Sequence, residues 1–241
     1  MIRANMEDLK TQTRRTKGLD KFPNFEWANI HRVNGVNIKA AIATNTQDIH
    51  LLRSPYGQPG DLLWVREAFL KLIPDHFITS SYAYKADSSP ESEELRKDYI
   101  KAGLKYQWKP SIHMPKIASR IWLMVEEIRV EQLHDISKED AIAEGIESAF
   151  IDLFDEKRYR CYESKNKFPY KGFPKHWASN WREAKSSFFS LWRAINGKSS
   201  FEANPWVWVV KYRILSKTGR PNPVTILENY LEITRKEAAH V

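Results

Sequence analysis

The chain has 241 residues, 42% hydrophobic and 12% aromatic, which excludes wholesale disorder and allows one sizeable core. Its 38 Lys and Arg against 30 Asp and Glu leave a formal charge of +8, a surplus whose field attracts phosphate-bearing partners. One cysteine, Cys161, excludes an intramolecular disulfide and fits a reducing compartment; with no apolar signal run and no stretch near the ~20 apolar residues of a membrane span, the sequence predicts a cytoplasmic protein without membrane contact.

In chain order, residues 3–9 read as a short helix running into Lys10-Thr11-Gln12-Thr13-Arg14-Arg15. Pro23, Gly35 and several Asn break any periodicity over 16–50, which predicts loops with brief strands. Tyr56-Gly57-Gln58-Pro59-Gly60-Asp61 is a turn, because Pro presets φ and Gly accepts positive φ. It launches Leu62 to Phe69, a run suited to a buried strand. A second strand is expected over Thr79 to Lys85, with Tyr82 and Tyr84 on one face. Residues 88–107 read as a loop with a short helix, and Arg120 to Val130 as a long strand. Ser137 is the expected N-cap of a helix that carries Asp140 near its positive end and stops at Gly145.

A polar, aromatic insertion fills 150–176. Residues 177–196 predict the longest amphipathic helix, with Trp181, Phe188, Leu191, Trp192 and Ile195 at helical spacing and Gly197 as its stop. Trp206 to Ile214 follows Pro205 as a last strand whose Trp206 and Trp208 share one face. Residues 216–241 form a charged tail after a linker, with room for one short helix, so the domain itself is expected over 1–215. The fold class is α+β: a small mixed or antiparallel barrel with helices outside it.

Five segments stand in a specific order: Lys10 to Arg15; Tyr56 to Glu67; Trp108-Lys109-Pro110-Ser111-Ile112-His113-Met114-Pro115-Lys116-Ile117-Ala118-Ser119-Arg120; Asp140-Ala141-Ile142-Ala143-Glu144-Gly145-Ile146; and Asn204 to Val210. Together they resemble the ASCH-domain proteins of phages and prophages, a branch of the PUA-like superfamily, over residues 3–214. The resemblance implies a small β-barrel with a cleft that accepts nucleic acid or a nucleoside. One bacterial branch hydrolyses N4-acetylcytidine with a lysine, a threonine three residues later and a distant glutamate. By motif these positions are Lys10, Thr13 and Glu144. The chain departs from the pattern at Asp8-Leu9, where relatives show Gly-Arg, which alters the approach to the string and removes one basic contact.

Positions three apart share a face in a helical turn and oppose each other in a strand. Lys10 and Thr13 therefore cooperate only if the segment bends. A neutral lysine amine would take the threonine proton, and Glu144 would protonate the leaving nitrogen or hold water. Such a lysine needs desolvation. The alternative is that Lys10, Thr13, Arg14 and Arg15 form a solvated turn touching phosphate, with Glu144 exposed in a last helical turn.

Arg14, Arg15, Arg66, Lys85, Lys109, Lys116 and Arg120 are candidates for phosphate or base edges. Trp64, Tyr84 and Trp108 are candidates for stacking on a base, Trp64 being equally a core residue. His113, His134 and His176 lack metal-ligand spacing, and there is no Gly-rich phosphate loop or Ser-His-Asp signature. No metal or cofactor is expected. The expected partner is a nucleoside or a nucleic acid, RNA rather than DNA. Three functions compete: an amidohydrolase acting on N4-acetylcytidine-type bases; a binding module for RNA or modified DNA, with a ribonuclease-like variant; and a phage accessory protein that uses the insertion and the tail as contact surfaces.

Overall fold

A computed structural model describes residues 2–21, 25–33, 36–43, 49–72, 82–87, 90–151, 156–163 and 183–238. In chain order the elements are α1 (Ile2–Met6), β1 (Gln12–Arg15), β2 (Phe25–Val33), β3 (Val36–Ala43), β4 (Ile49–Leu52), β5 (Leu62–Trp64), β6 (Phe69–Lys71), β7 (Tyr82–Tyr84), α2 (Pro90–Lys101), β8 (Trp122–Gln132), α3 (Lys138–Ala143), β9 (Ser148–Ile151), β10 (Glu156–Tyr159), α4 (Ala184–Asn196), α5 (Lys198–Glu202), β11 (Trp206–Ser216) and α6 (Pro223–Ala238). The fold is mixed α+β. Among the described residues the strands pair antiparallel in four sheets, ordered β1-β11-β8-β5, β2-β3-β4, β6-β7 and β9-β10. No described helix is long and apolar enough to cross a membrane.

β8 and β11 form the spine, and their alternation divides the core. Val207 and Val209 face α3 and α4, packing with Leu133, Ile136, Ala141, Phe188 and Trp192. Trp208 and Val210 face the other way, with Leu19, Val125 and the half-buried Tyr56, Leu63 and Trp206. The expected shared face of Trp206 and Trp208 is a core face. Each large side chain buried this way contributes about 1.5–3 kcal/mol. A β-bulge between Lys211 and Tyr212 interrupts the register, which bends and twists the spine locally.

Ser137 caps α3, its hydroxyl accepting from the Asp140 amide. Gly197, at φ +87°, follows the end of α4 as expected. α4 begins at Ala184; the expected first turns of that helix, with Trp181, His176 and most of the 150–176 insertion, lie outside the described residues, as does the start of the strand expected from Thr79. Within the insertion, β9 and β10 pair as a hairpin.

Three expectations change. The run Leu62 to Phe69 is not one strand, because Glu67 turns inward to meet Arg120, with 2.9 and 3.0 Å contacts. A buried carboxylate must stay with its counter-charge, so the ladder breaks between β5 and β6. Residues 25–33 and 36–43 form strands of nine and eight residues, because the β-formers Phe25, Trp27, Ile30, Val36 and Ile38 in the sequence outweigh the Asn punctuation. The segment after 216 carries a 16-residue helix. α6 docks through buried Ile233 and through Asn229 and Glu232, which accept from Arg213 at 2.9 and 2.6 Å. Gly60, at φ +90°, lets it approach: a Cβ there would stand 2.7 Å from the Tyr230 ring.

Candidate functional site

Direct cross-strand partners share a face of a sheet. β1 sets Arg14 opposite Val209, and Thr13 and Arg15 opposite Val210 and Trp208. β8 sets Arg129 opposite the same Val209 and Glu131 opposite Val207. Arg14 and Arg129 therefore flank one valine on the face that α3 covers. Asp140 and Glu144, four apart across the end of α3, point their carboxylates at that row.

The result is a buried charge cluster. Lys10 Nζ donates to Glu144 Oε2 at 2.7 Å and to the Glu144 carbonyl at 2.8 Å, and the two residues are only 3% and 5% exposed. Arg14 spends four of its five N–H donors on Glu131, Asp140 and Glu144, the last at 3.1 Å. Arg129 pairs with Glu127, Glu131 and Asp140. Burying these charges is tolerable only because nearly every one is matched. Gly145 makes the Lys10 contact possible. At φ +76° it lies so close that a Cβ would stand 2.8 Å from Lys10 Cβ and 2.9 Å from Ala4 Cβ.

Burial pushes the Lys10 amine below its ordinary 10.5, with Glu144 opposing that shift and Arg15 and Arg14 reinforcing it. Burial likewise pushes the Tyr212 phenol up, helped by Glu144; its hydroxyl donates to Asn5 Oδ1 at 2.9 Å.

A pocket of about 290 Å³ opens beside the cluster, lined by Arg14, Arg15, Thr16, Glu144, Phe188, Leu191, Trp192, Ile195 and Asn196. That volume is near the small end of ligand sites. Arg14 and Glu144 form its buried end, one face of α4 its apolar wall, and exposed Arg15, Ile195 and Asn196 its mouth. Arg15 turns back over the strand, donating to the Arg14 carbonyl at 2.9 Å. The arrangement sets a carboxylate acceptor, Glu144, at the inner end of an otherwise largely apolar wall.

The predicted residues sort cleanly. Lys10 and Glu144 meet, and Glu144 is buried rather than exposed. Thr13 lies on the opposite face of β1 from Arg14, and its buried Oγ1 has no hydrogen-bond partner among the described residues. Arg14 is buried at the inner end of the pocket, with four N–H donors engaged by the cluster's carboxylates. Arg120 is likewise committed, spending four N–H donors on Glu67 and Asp87 while stacking 4.1 Å above the Tyr84 ring. Tyr84 itself bonds the Ala118 carbonyl at 2.8 Å. Trp108 packs edge-on against Tyr106 at 5.3 Å, in a cluster with Leu70, Leu72 and Tyr99; Trp64 packs on Phe69, Met114 and Ala118. Arg66, Lys85, Lys109 and Lys116 are exposed, Arg66 over Trp64 and Lys116 over Trp122. His134 is structural, its Nε2 lying 3.0 Å from the Phe201 carbonyl oxygen, and Cys161 is buried.

Sequence reasoning missed Arg129, Glu131 and Asp140 as members of the site. The signal was present in the alternation Glu127, Arg129, Glu131 along one strand face and in the i,i+4 spacing of Asp140 and Glu144. No protein-family model, curated protein or solved structure matches the chain.

Proposed function

We propose that this chain is a nucleoside- or nucleic-acid-binding protein of the PUA-like, ASCH type, acting in the cytoplasm, and that the pocket beside α4 takes a single nucleobase. The observation that carries this reading is the Glu144 carboxylate, 5% exposed, held by Lys10 and Arg14 at the end of a pocket whose other wall is apolar. A fixed acceptor in such a setting rewards a ligand that brings an N–H donor to it, such as the exocyclic N4 amine of cytosine, and Asn196 and Arg15 add polar contacts at the mouth. Removing one charge-assisted hydrogen bond costs about 1.5–3 kcal/mol. Glu144→Gln should therefore weaken cytidine binding by about ten- to a hundredfold in calorimetry. Wild-type protein with no affinity for any nucleoside would remove the reading.

Lys10 favours a second reading, deacylation of an N4-acylated cytosine. Its amine is desolvated and 2.7 Å from Glu144, which brings it closer to exchanging a proton at neutral pH. Water oxygen would bond to the acyl carbon, the C–N bond would break, and the water proton taken by Glu144 would pass to the leaving amine. Thr13, facing away, has no part in this version. With N4-acetylcytidine, acetate release should vanish in Lys10→Met and Glu144→Gln and persist in Thr13→Val. Loss of turnover in Thr13→Val would instead return the threonine to the reaction as nucleophile.

A further inference from the structure

The small sheet β6-β7 presents a second site. Phe69 pairs with Tyr84 and Lys71 with Tyr82 across the two strands. Lys109 bridges to Phe69 from the other side, through reciprocal backbone bonds of 3.2 and 2.8 Å. Alternation then puts Phe69, Lys71, Tyr82 and Lys109 on one face. The opposite face is occupied by Leu70, Leu72 and Ala83 in their own cluster with Tyr99. The segment after Pro110, fixed by the His113 amide donating to the Pro110 carbonyl at 3.1 Å, closes one side of the face. The space left is an open groove of about 590 Å³ lined by Phe69, Lys71, Tyr82, Lys109, His113 and Pro115.

Its chemistry is one-sided. Among the described residues of the lining, every charged side chain is a lysine and none is a carboxylate. Lys71, Lys109 and His113 are exposed, and none of them makes an ion pair among the described residues. Beneath them lie two rings in edge-to-face contact at 6.1 Å, Phe69 buried and Tyr82 half-buried. Cations arranged over an aromatic floor are the requirement for a nucleotide unit: phosphate to the lysines, base against a ring. The groove shares no residue with the pocket beside α4.

From this the geometry points to a single-stranded polynucleotide, rather than a free nucleoside, as the ligand: one base enters the pocket beside α4 while a neighbouring stretch of backbone lies in the Lys71–Lys109–His113 groove with a base against Tyr82. This inference rests on the nucleobase reading of the first pocket. It names two groove residues, Lys71 and Tyr82, and gives His113 a part its isolation in sequence did not announce.

The test uses the full chain and four probes: a fluorescein-labelled RNA of about 12 nucleotides, cytidine, cytidine 5′-monophosphate and inorganic phosphate. Lys71→Ala/Lys109→Ala alters only exposed side chains. It should weaken RNA binding by about tenfold, and the slope of log affinity against log salt should shrink by about 1.4, two contacts at about 0.7 each. Cytidine binding should be unchanged. Tyr82→Leu should weaken RNA binding and Tyr82→Phe should restore it. RNA affinity and salt slope equal to wild type in the double lysine variant overturn the inference and leave the first pocket standing. Inorganic phosphate or cytidine 5′-monophosphate binding as tightly as the RNA overturns it too. RNA binding that persists without any cytidine binding, and that Glu144→Gln does not change, sinks the first-pocket reading and with it the two-site strand.

Discussion

Gly145 shows how one residue can hold a charge pair together. Its positive φ and the 2.8 Å that would separate an added Cβ from Lys10 Cβ leave no room for any other side chain. Gly145→Ala pays both the left-handed backbone and the clash, so it should destabilise the protein by about 1–3 kcal/mol and dislodge Lys10, as read by urea unfolding and by loss of cytidine binding. Lys10 gives a pH signature of its own. Its folded value lies below the ordinary 10.5, so in the interval between them the unfolded chain binds the extra proton. Stability contributed by this residue must then rise with pH and level off above 10.5. The stability difference between wild type and Lys10→Met, followed through the alkaline range, should rise in wild type's favour; a flat or falling difference would mean the amine is not desolvated.

Among elements, α3 is small but decisive, because its end supplies Asp140 and Glu144 and its start rests on one hydroxyl. Ser137→Ala removes the bond to the Asp140 amide and should cost about 1 kcal/mol, with a matching drop in affinity at the pocket. α6 is held differently. Arg213, and Lys236 after it, hold the Glu232 carboxyl near about 2; since that lies below the ordinary 4.5, the contribution is full above 4.5 and lost as pH falls through about 2. Amide exchange in α6 should accelerate over that window in wild type and show no such step in Glu232→Gln. Helices α3 and α4 mark what could be read in advance. Ser137, Gly145 and Gly197 are local signals, and they located the ends of α3 and α4 because caps depend on nearest neighbours. The strand break at Glu67 was illegible, since it answers to Arg120, 53 residues away. For the same reason Lys10 and Glu144 were named by motif, but the burial of Arg14 was not: its three carboxylates come from β8 and from the region of α3, and nothing next to it in the chain reports them. Thr13 faces away because β1 is regular from Gln12 onward, and regular extension separates positions three apart.

At the scale of the molecule, the ion pairs among the described residues use up acid rather than base. Lys10, Arg14 and Arg129 meet four carboxylates, Glu127, Glu131, Asp140 and Glu144; Arg120 takes both Glu67 and Asp87; Arg213 takes both Glu126 and Glu232. The net +8 is therefore not spent inside. It stands on exposed side chains such as Arg15, Arg66, Lys71, Lys85, Lys109 and Lys116, where it sets a long-range field instead of stability. Lysines that touch the ligand and lysines that only attract it should then separate kinetically. Arg66→Glu/Lys85→Glu lies outside both linings, so in stopped-flow it should slow RNA association several-fold at low salt and leave the dissociation rate nearly unchanged. The difference should fade as the Debye length falls from about 10 Å at 0.1 M to about 3 Å at 1 M. A variant that instead speeds dissociation, equally at all salt concentrations, would place Arg66 or Lys85 in direct contact with the strand and extend the binding face beyond the two sites described.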